Sequence, residues 1–469
     1  MNTAAQYDTN QYLYSSNNNN VASVYQRNDY SQLKLGDYNS NISNTPYIER
    51  TNKYGMPEEK EKEPNKSKGN NSYRVPTLSS SPQYSSDTNN AYKPSNTISY
   101  KPKITYPPDV TKISHNRRGL HNIGNTCYMN TCLQNLMHSI PFIHKLVNHY
   151  PYAKGNKPIT SKFYSLCKEQ TSGVSFPRDF LSAFRRNHYT YNGYPQHDTQ
   201  EFCRLLLEDM SNELNTAENK KYYKEIKTKG KSKQQIKEEF QTVFRKRESS
   251  IIIDTFYSQF ITSFQCLNEH GCGYVDYSCQ NMLDIPLRFP VSRSTPTPGR
   301  NLTYGRLHSF VPHNISLETS HSLYSLLDEF FEQEIIDFAL KCEKCKQKTK
   351  HKKITKISQL PEILILSLQR FSHDYSSVNR AQVTFESDLD LSKYVDDDDG
   401  YLKQTPALYK LYGISNHTGS FNFGHYYAYI KVKEDWYEFN DSHVYHHRLS
   451  FSSTTAYILF YQRIDTTET

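Results

Sequence analysis

The stretch Gly119-Leu-His-Asn-Ile-Gly-Asn-Thr-Cys-Tyr-Met-Asn130 places one cysteine, Cys127, at the start of an amphipathic helix. The apolar residues that follow recur at helical spacing and predict one apolar face, formed by Met129, Leu133, Leu136, Met137 and Ile140. Asn125 or Thr126 is available as the N-cap. Backbone N–H groups and the positive end of a helix dipole stabilise a thiolate, so Cys127 is a candidate nucleophile. The alternative is a small buried apolar residue, which is our interpretation of Cys132 in the middle of the same helix.

The composition predicts one large domain preceded by a tail. Residues 1–115 of the 469 are rich in Asn, Ser, Tyr, Lys and Pro without apolar periodicity, so we predict a disordered tail there. Residues 116–464 are expected to form the domain. No apolar run has the length of a bilayer span and no signal-peptide pattern is present. We therefore expect an intracellular protein of the cytoplasm, the nucleus or both, whose nine cysteines are reduced.

The net charge of +8 comes largely from an insertion at residues 215–248. Such a basic run can attract an acidic partner or nucleic acid. Because no stacking aromatics or nucleic-acid motif accompany it, we interpret it as a solvated insertion and expect no nucleic-acid partner. The acidic run 396–399 lacks the spaced ligands of a calcium loop and is interpreted as a surface turn. A second insertion is placed at residues 291–315.

Helical patterns occur early in the chain and strand patterns late. Asp198 and Glu201 form a capping box that starts a second helix, and a further helix is predicted at 323–338. Segments rich in β-branched and aromatic residues predict strands at 260–264, 276–287, 363–371, 426–432, 436–440 and 456–461. This order indicates an α+β domain in which the helix of the nucleophile packs against a mostly antiparallel sheet.

A cysteine nucleophile needs a base, and the base needs an acceptor that orients it. His425 starts a strand, and after a turn at 433–435 a second strand runs back to Asn440 and Asp441. Two antiparallel strands joined by a short turn bring their outer ends together, so His425 is the candidate base and Asn440 or Asp441 its orienting partner. Asp441 is also a candidate helper of the oxyanion through ordered water, and Asn122 is a candidate oxyanion donor. The alternative for His425 is a structural histidine, since the chain has 18.

Four of the remaining cysteines have the pattern of a metal site. Cys342 and Cys345 form a CxxC pair, and Cys266 with Cys272 supplies a second pair for a tetrahedral four-thiolate zinc site. The spacing of this second pair is wider than usual, and His270 between its members is an alternative ligand. A knuckle that holds its strands without metal remains the other interpretation.

Four ordered segments resemble the sequence boxes of the ubiquitin-specific protease family, the papain-like cysteine peptidases that remove ubiquitin. The resemblance covers about residues 118–464 and is carried by a cysteine box, a Gln- and Asp-containing box, a Leu-Pro…Leu-x-Arg-Phe strand and a histidine box, at 119–134, 194–201, 360–371 and 424–441. It implies a hand-like fold with Cys127 in a helical thumb, His425 in a β-sheet palm, and β-rich fingers that carry the zinc knuckles.

Carried over to this sequence, the resemblance implies that Cys127 is the nucleophile, His425 the base, Asn440 the orienting residue and Asn122 the oxyanion donor. It further implies that the extended tail of ubiquitin is bound by Gln196, Asp198, Gly424 and Tyr426. The implied reaction is hydrolysis at the C-terminal glycine of ubiquitin through an acyl-enzyme, without an organic cofactor. The implied partners are ubiquitin, ubiquitinated proteins and a regulatory protein that organises the loops, with no membrane partner. The alternatives are a non-catalytic ubiquitin-binding scaffold, although neither nucleophile nor base is lost, and a nucleic-acid-associated protein acting through the basic insertion.

Overall fold

The computed structural model describes residues 106–152, 155–290, 320–372 and 375–464. The helices in these ranges are α1 Pro108–Ser114, α2 Cys127–Met137, α3 Ile140–His149, α4 Pro158–Gln170, α5 Arg178–Asn187, α6 Thr199–Glu213, α7 Lys233–Arg247, α8 Ile251–Phe256, α9 Leu323–Phe330 and α10 Tyr401–Gln404. The strands are β1 Ser258–Cys266, β2 Val275–Met282, β3 Ile285–Leu287, β4 His321–Ser322, β5 Glu334–Lys341, β6 Lys348–Gln359, β7 Ile363–Leu368, β8 Val383–Thr384, β9 Asp388–Asp390, β10 Leu408–Gly419, β11 Gly424–Val432, β12 Asp435–Asn440, β13 His443–His447, β14 Ser452–Ser453 and β15 Ala456–Arg463. Most helices precede most strands, as the α+β prediction requires. Among the described residues, no helix is both long and apolar enough to cross a bilayer.

The central sheet has eight strands in the order β13-β12-β11-β10-β15-β7-β3, with β9 also paired to β10. Its neighbours are antiparallel except for β3 and β7. Both faces of the sheet are covered at β7, because alternate residues of this strand enter different cores. Ile363 and Ile365 pack with the helices, whereas Leu364 and Leu366 pack with α9 on the opposite face. A separate antiparallel sheet of order β2-β1-β6-β5 carries the four-cysteine cluster at one end.

Helix α2 is buried on every side, which the amphipathic pattern did not predict. All eleven of its residues are buried, and it packs against α6 and against β10, β11 and β12. Its polar side meets polar groups of the sheet: the Thr131 hydroxyl and the Asn135 amide each donate to the Ser415 hydroxyl, both at 3.1 Å. Buried polar groups are stable where they find such partners. The helix that carries Cys127 is therefore fixed by hydrogen bonds as well as by apolar contact.

Three boundaries differ from those predicted. The predicted tail extends too far, because α1 lies within 1–115 and buries Val110 and Ile113, three residues apart on one helical face. The helix predicted at 323–338 ends at Phe330, because the segment from Glu334 pairs with β6 and this pairing prevails over helical spacing. The single strand predicted at 276–287 is divided into β2 and β3, which belong to different sheets. Residues 1–105 and the second insertion at 291–315 lie outside the described residues.

The basic insertion and the acidic run contact each other, so neither is merely solvated. Ser232 starts α7 with a capping box, and α7 packs against β2. The Lys237 ammonium lies 3.3 Å from the Asp396 carboxylate and 2.8 Å from that of Asp399, and Lys233 lies 2.5 Å from Asp396. Asp396 is only 7% exposed. The surface-turn interpretation of 396–399 is therefore wrong at Asp396, which is held in place by an element some 160 residues distant in sequence.

Candidate active site

The turn before α2 is organised by the side chain of Asn122. Its Oδ1 accepts from the backbone N–H groups of Gly124 at 3.2 Å and Thr126 at 3.0 Å. Gly124 and Asn125 both have positive φ, of 115° and 51°, a conformation that glycine and asparagine tolerate. Thr126 is the N-cap residue but makes no side-chain cap bond. The turn thus delivers Cys127 as the first residue of α2, with its backbone N–H unused by the helix.

The His425 ring joins Cys127 to Asn440. The Cys127 thiol hydrogen-bonds to the ring, and ring Nε2 lies 2.8 Å from Asn440 Oδ1. Because the amide oxygen can only accept, Nε2 carries the proton, which leaves Nδ1 as the nitrogen available to the thiol. The bond to Cys127, reinforced by the one to Asn440 against the opposing effect of burial, raises the pKa of His425 to about 9. The ring is therefore protonated at neutral pH.

Asp441 contacts Asn122 and Asn130, in a part of the hydrogen-bond network separate from the His425–Asn440 bond. Its Oδ2 accepts from the Asn122 Nδ2 at 3.0 Å and its Oδ1 from the Asn130 Nδ2 at 2.8 Å. Its backbone oxygen accepts from the Leu120 N–H at 2.8 Å. Asn440, and not Asp441, thus holds the ring of His425, while Asp441 orients the Asn122 amide.

The four residues expected to bind the ubiquitin tail lie close together, but their polar groups are largely engaged within the protein. Gln196 Nε2 donates to the Gly424 carbonyl at 2.8 Å, and the Gly424 N–H donates back to Gln196 Oε1 at 3.0 Å. A Cβ at Gly424 would lie 2.8 Å from the Thr418 carbonyl oxygen, so close approach of backbone requires the glycine. Gln196 therefore ties the segment before His425 to the segment before α6.

Asp198 and Tyr426 are both buried. Asp198 Oδ1 accepts from the N–H groups of Gln200 and Glu201, as an N-cap should, and its Oδ2 accepts from the Tyr457 hydroxyl. Burial raises the pKa of Asp198 and that of Tyr426. In this structure both side chains are buried, and their contact with a ubiquitin tail stays a prediction.

Four cysteine thiols converge at the far end of the β2-β1-β6-β5 sheet. The four Sγ atoms of Cys266, Cys272, Cys342 and Cys345 lie within 4.8 Å of one another. Two of the separations, Cys266 to Cys345 and Cys272 to Cys342, are 3.9 and 3.8 Å. A tetrahedral zinc with Zn–S bonds of about 2.3 Å has S···S edges of about 3.8 Å, so the cluster fits zinc. His270 is not a member of the cluster.

Two glycines explain how the wide spacing between Cys266 and Cys272 is accommodated. Gly271 and Gly273 on either side of Cys272 have φ of +72° and +57°. The Gly271 N–H donates to the Asn268 carbonyl at 3.0 Å and closes a turn. Left-handed conformations are favourable for glycine, and they let the longer segment fold back onto the CxxC pair.

Sequence reasoning missed one polar residue of the site, Glu438. Its Oε1 accepts from the Asn440 Nδ2 at 3.1 Å. The only signal available was its position two residues before Asn440 on a predicted strand, which places both side chains on one face.

Residues 118–461 match the family described as "Ubiquitin carboxyl-terminal hydrolase". The match covers most of the chain, and the protein belongs to this family.

Among its relatives, "Ubiquitin carboxyl-terminal hydrolase Usp2" of Drosophila melanogaster is 30% identical over 362 residues, which are 74% of this chain and 34% of the relative. "Ubiquitin carboxyl-terminal hydrolase 21" of Rattus norvegicus is 26% identical over 375 residues, 73% of this chain and 61% of the relative. "Ubiquitin carboxyl-terminal hydrolase 2" of Gallus gallus is 29% identical over 380 residues, 76% and 96% of the two chains. The chain thus spans about a third of the fruit-fly relative and three fifths of the rat one.

Two solved structures share the fold. Both are described as the SAGA DUB module of Ubp8, Sgf11, Sus1 and Sgf73, one bound to monoubiquitin and the other to ubiquitin aldehyde. The first has a TM-score of 0.55 at 21% identity and covers 77% of this chain and 72% of that one. The second has a TM-score of 0.53 at 21% identity, covering 75% and 71%. The α+β architecture predicted from the sequence is therefore that of a ubiquitin-specific protease.

Proposed function

We propose that this protein is a deubiquitinating thiol protease that hydrolyses the isopeptide or peptide bond at the C-terminal glycine of ubiquitin. Family membership supports the reaction class. The observation that carries the proposal is the hydrogen-bonded series of Cys127, His425 and Asn440 at the start of a buried helix.

In the proposed reaction, His425 holds the thiol proton as an imidazolium, and the Cys127 thiolate attacks the carbonyl carbon of the ubiquitin glycine. The carbonyl oxygen becomes an oxyanion, to which the Cys127 N–H and the Asn122 amide donate. His425 then gives its proton to the departing lysine amine, and the C–N bond breaks to leave a thioester. Water attacks the thioester carbon and gives a proton to His425, and the C–S bond breaks. Ubiquitin leaves with a free C-terminal carboxyl group, and the Cys127 thiolate beside the protonated His425 is restored.

The third member of the series sets the direction of the imidazole. The Asn440 oxygen fixes the Nε2 proton, so Nδ1 is the nitrogen that exchanges a proton with sulfur and amine. Asp441 acts on the other half of the reaction, because it holds the Asn122 amide that would face the oxyanion. We assign base orientation to Asn440 and support of the oxyanion donor to Asp441.

We propose a structural zinc at the four-cysteine cluster. Four thiolates would hold it, and the ion would cross-link the segment after β1 to the turn between β5 and β6. The match between the S···S separations and a tetrahedral edge supports this assignment.

We propose ubiquitin and ubiquitinated proteins as partners, together with a regulatory protein. The solved neighbours support both kinds of partner, since they contain ubiquitin and three further proteins beside Ubp8. We propose an intracellular site of action, in the cytoplasm, the nucleus or both; the nine free cysteines favour a reducing compartment. A role in nucleic-acid binding is less well supported, because basic side chains of the insertion are paired with acidic ones: Lys224 and Lys231 with Glu239, Lys237 with Asp399, and Arg245 with Asp254.

A ubiquitin bearing a C-terminal electrophile tests the proposal. We expect the wild-type protein and Cys132→Ala to be labelled covalently, and Cys127→Ala to remain unlabelled. Cys132 is the matched control, since it lies on the same helix and is equally buried. A wild-type protein that binds ubiquitin without being labelled would instead indicate a scaffold and refute the enzymatic proposal.

A further inference from the structure

The side-chain amide of Asn440 is held at both ends. Its oxygen accepts from His425 Nε2 at 2.8 Å, and its nitrogen donates to Glu438 Oε1 at 3.1 Å. Asn440 and Glu438 are two residues apart on β12, so their side chains leave the same face of the sheet. The hydrogen-bonded series therefore extends beyond three residues and ends on a carboxylate.

An asparagine amide has nearly the same shape in two orientations, related by a rotation that exchanges its oxygen and nitrogen. If the nitrogen faced His425, two donors would meet, and Nε2 could not keep its proton. A neighbouring carboxylate removes this ambiguity, because it accepts hydrogen bonds and donates none at neutral pH. Glu438 accepts from the amide nitrogen, so the oxygen must point at the ring.

We propose that Glu438 is a positioning residue of the catalytic machinery, which fixes the Asn440 amide with its oxygen toward His425. This inference rests on the proposed function, because it concerns the same series of residues. Glu438 acts through Asn440 and touches neither substrate nor sulfur.

The surroundings of Glu438 are aromatic. On the neighbouring strands its register partners are Tyr429 of β11 and Tyr445 of β13. Burial raises the pKa of Tyr429 and lowers that of His447, and the Glu438 charge acts toward a higher pKa on both. Among these neighbours, it is the Asn440 amide that donates a hydrogen bond to the Glu438 carboxylate.

The test uses steady-state kinetics on ubiquitin with a C-terminal fluorogenic amide. Glu438→Met keeps the approximate volume but removes acceptor and charge, and we expect kcat to fall about tenfold with KM unchanged, since one hydrogen bond to a charged group is lost. Glu438→Gln keeps an acceptor without the charge, so its kcat should lie between the kcat values of Glu438→Met and the wild type. Glu434→Met is the matched control, because Glu434 lies in the turn of the same hairpin with its side chain 94% exposed, and its kcat should equal that of the wild type.

An Asn440→Asp background separates positioning from a merely structural effect. A carboxylate needs no choice of orientation and is repelled by Glu438, so Glu438→Met should there leave kcat unchanged or raise it. An equal loss of kcat in both backgrounds would overturn the proposal.

NMR titration of the His425 ring provides a second readout that does not require turnover. Glu438→Met should lower the pKa of His425, and Glu434→Met should not. An unchanged His425 pKa in Glu438→Met would also overturn the proposal. Failure of the proposed function is separate, since it appears as absent electrophile labelling in the wild-type protein.

Discussion

Gly119 offers the sharpest test of how the segment before α2 is joined to the end of β12. Gly119 is buried, and a Cβ added there would lie 2.5 Å from the Ser442 carbonyl oxygen and would also overlap the backbone oxygen of Asp441. Ordinary contacts between heavy atoms are about 3.5 Å or longer, so Gly119→Ala must separate the two segments by about 1 Å. The hydrogen bond from the Leu120 N–H to the Asp441 oxygen, now 2.8 Å, would lengthen with them.

Gly119→Ala should lower both stability and activity. Overpacking of a close backbone contact costs about 1–3 kcal/mol of the free energy of unfolding. The same displacement moves Asp441 away from the Asn122 amide that it orients. A misplacement of about 1 Å in a catalytic group costs about 100-fold in rate, so we expect kcat/KM to fall by about that factor in a protein that remains folded.

Urea unfolding and kcat/KM on ubiquitin with a C-terminal fluorogenic amide measure the two effects. Gly173→Ala is the matched control, because no atom lies within 4 Å of a Cβ at that position and φ is not in the left-handed region. Its stability should stay within about 0.5 kcal/mol of the wild type, with unchanged activity. If Gly119→Ala retained wild-type kcat/KM, the close approach of these backbones would not be what aligns the site.

Three further outcomes follow from the described contacts. Since the pKa of His425 is raised to about 9, kcat/KM should fall as pH rises through about 9, and NMR should show a lower His425 pKa in Cys127→Ala. An alkaline limb near 6.5, the ordinary value, would contradict the effect of Cys127 and Asn440 on the His425 pKa. Because folding raises the pKa of His425, protonation of its ring stabilises the folded protein. This contribution is fully present at pH values below about 6.5, the ordinary pKa, and is lost as pH rises through about 9. Chelation should release about one zinc per chain and lower the melting temperature. Cys345→Ser should bind less zinc than Cys167→Ser, whose cysteine lies outside the cluster. A metal-free protein with unchanged stability would refute the site. Asp396→Ala should cost about 3 kcal/mol in urea unfolding because it leaves Lys237 buried without its full set of partners, whereas an exposed carboxylate would cost less than about 1 kcal/mol.

What the sequence predicted well depends on short separations along the chain. The start of α2 at Cys127 follows from helical spacing over about a dozen residues. The approach of His425 to Asn440 follows from one hairpin, in which Ala428 pairs with Phe439. Both inferences need only local geometry, which alternation and turn length specify.

What the sequence did not predict depends on partners far away in the chain. Strand β6 is so rich in lysine that its composition does not indicate a strand, and it is extended because β1 and β5 pair with it on both sides. Asp396 is buried only because Lys233 and Lys237 of a distant helix lie against it. From the sequence alone, the polar side of α2 is expected to face solvent. In the structure it is buried, because Ser415 of β10 lies against it and accepts hydrogen bonds from it.

The pair Asn440 and Asp441 shows how one turn of backbone can serve both halves of the proposed reaction. From the sequence, either residue could have oriented the base. Asn440 is the last residue of β12 and directs its side chain at His425, whereas Asp441 has φ of +49° and leaves the strand. That left-handed conformation, which aspartate tolerates better than most residues, turns the Asp441 carboxylate toward Asn122. A residue that resists positive φ at 441 would therefore disturb the oxyanion side first and leave the His425–Asn440 bond in place. We expect Asp441→Asn to keep the backbone turn while weakening the hold on the Asn122 amide, so kcat should fall. The NMR signal of the His425 Nε2 proton, which reports the bond to Asn440, should persist, although loss of the Asp441 charge should lower the pKa of His425. Loss of the Nε2 proton signal would show that the two halves of the site are not divided at this residue.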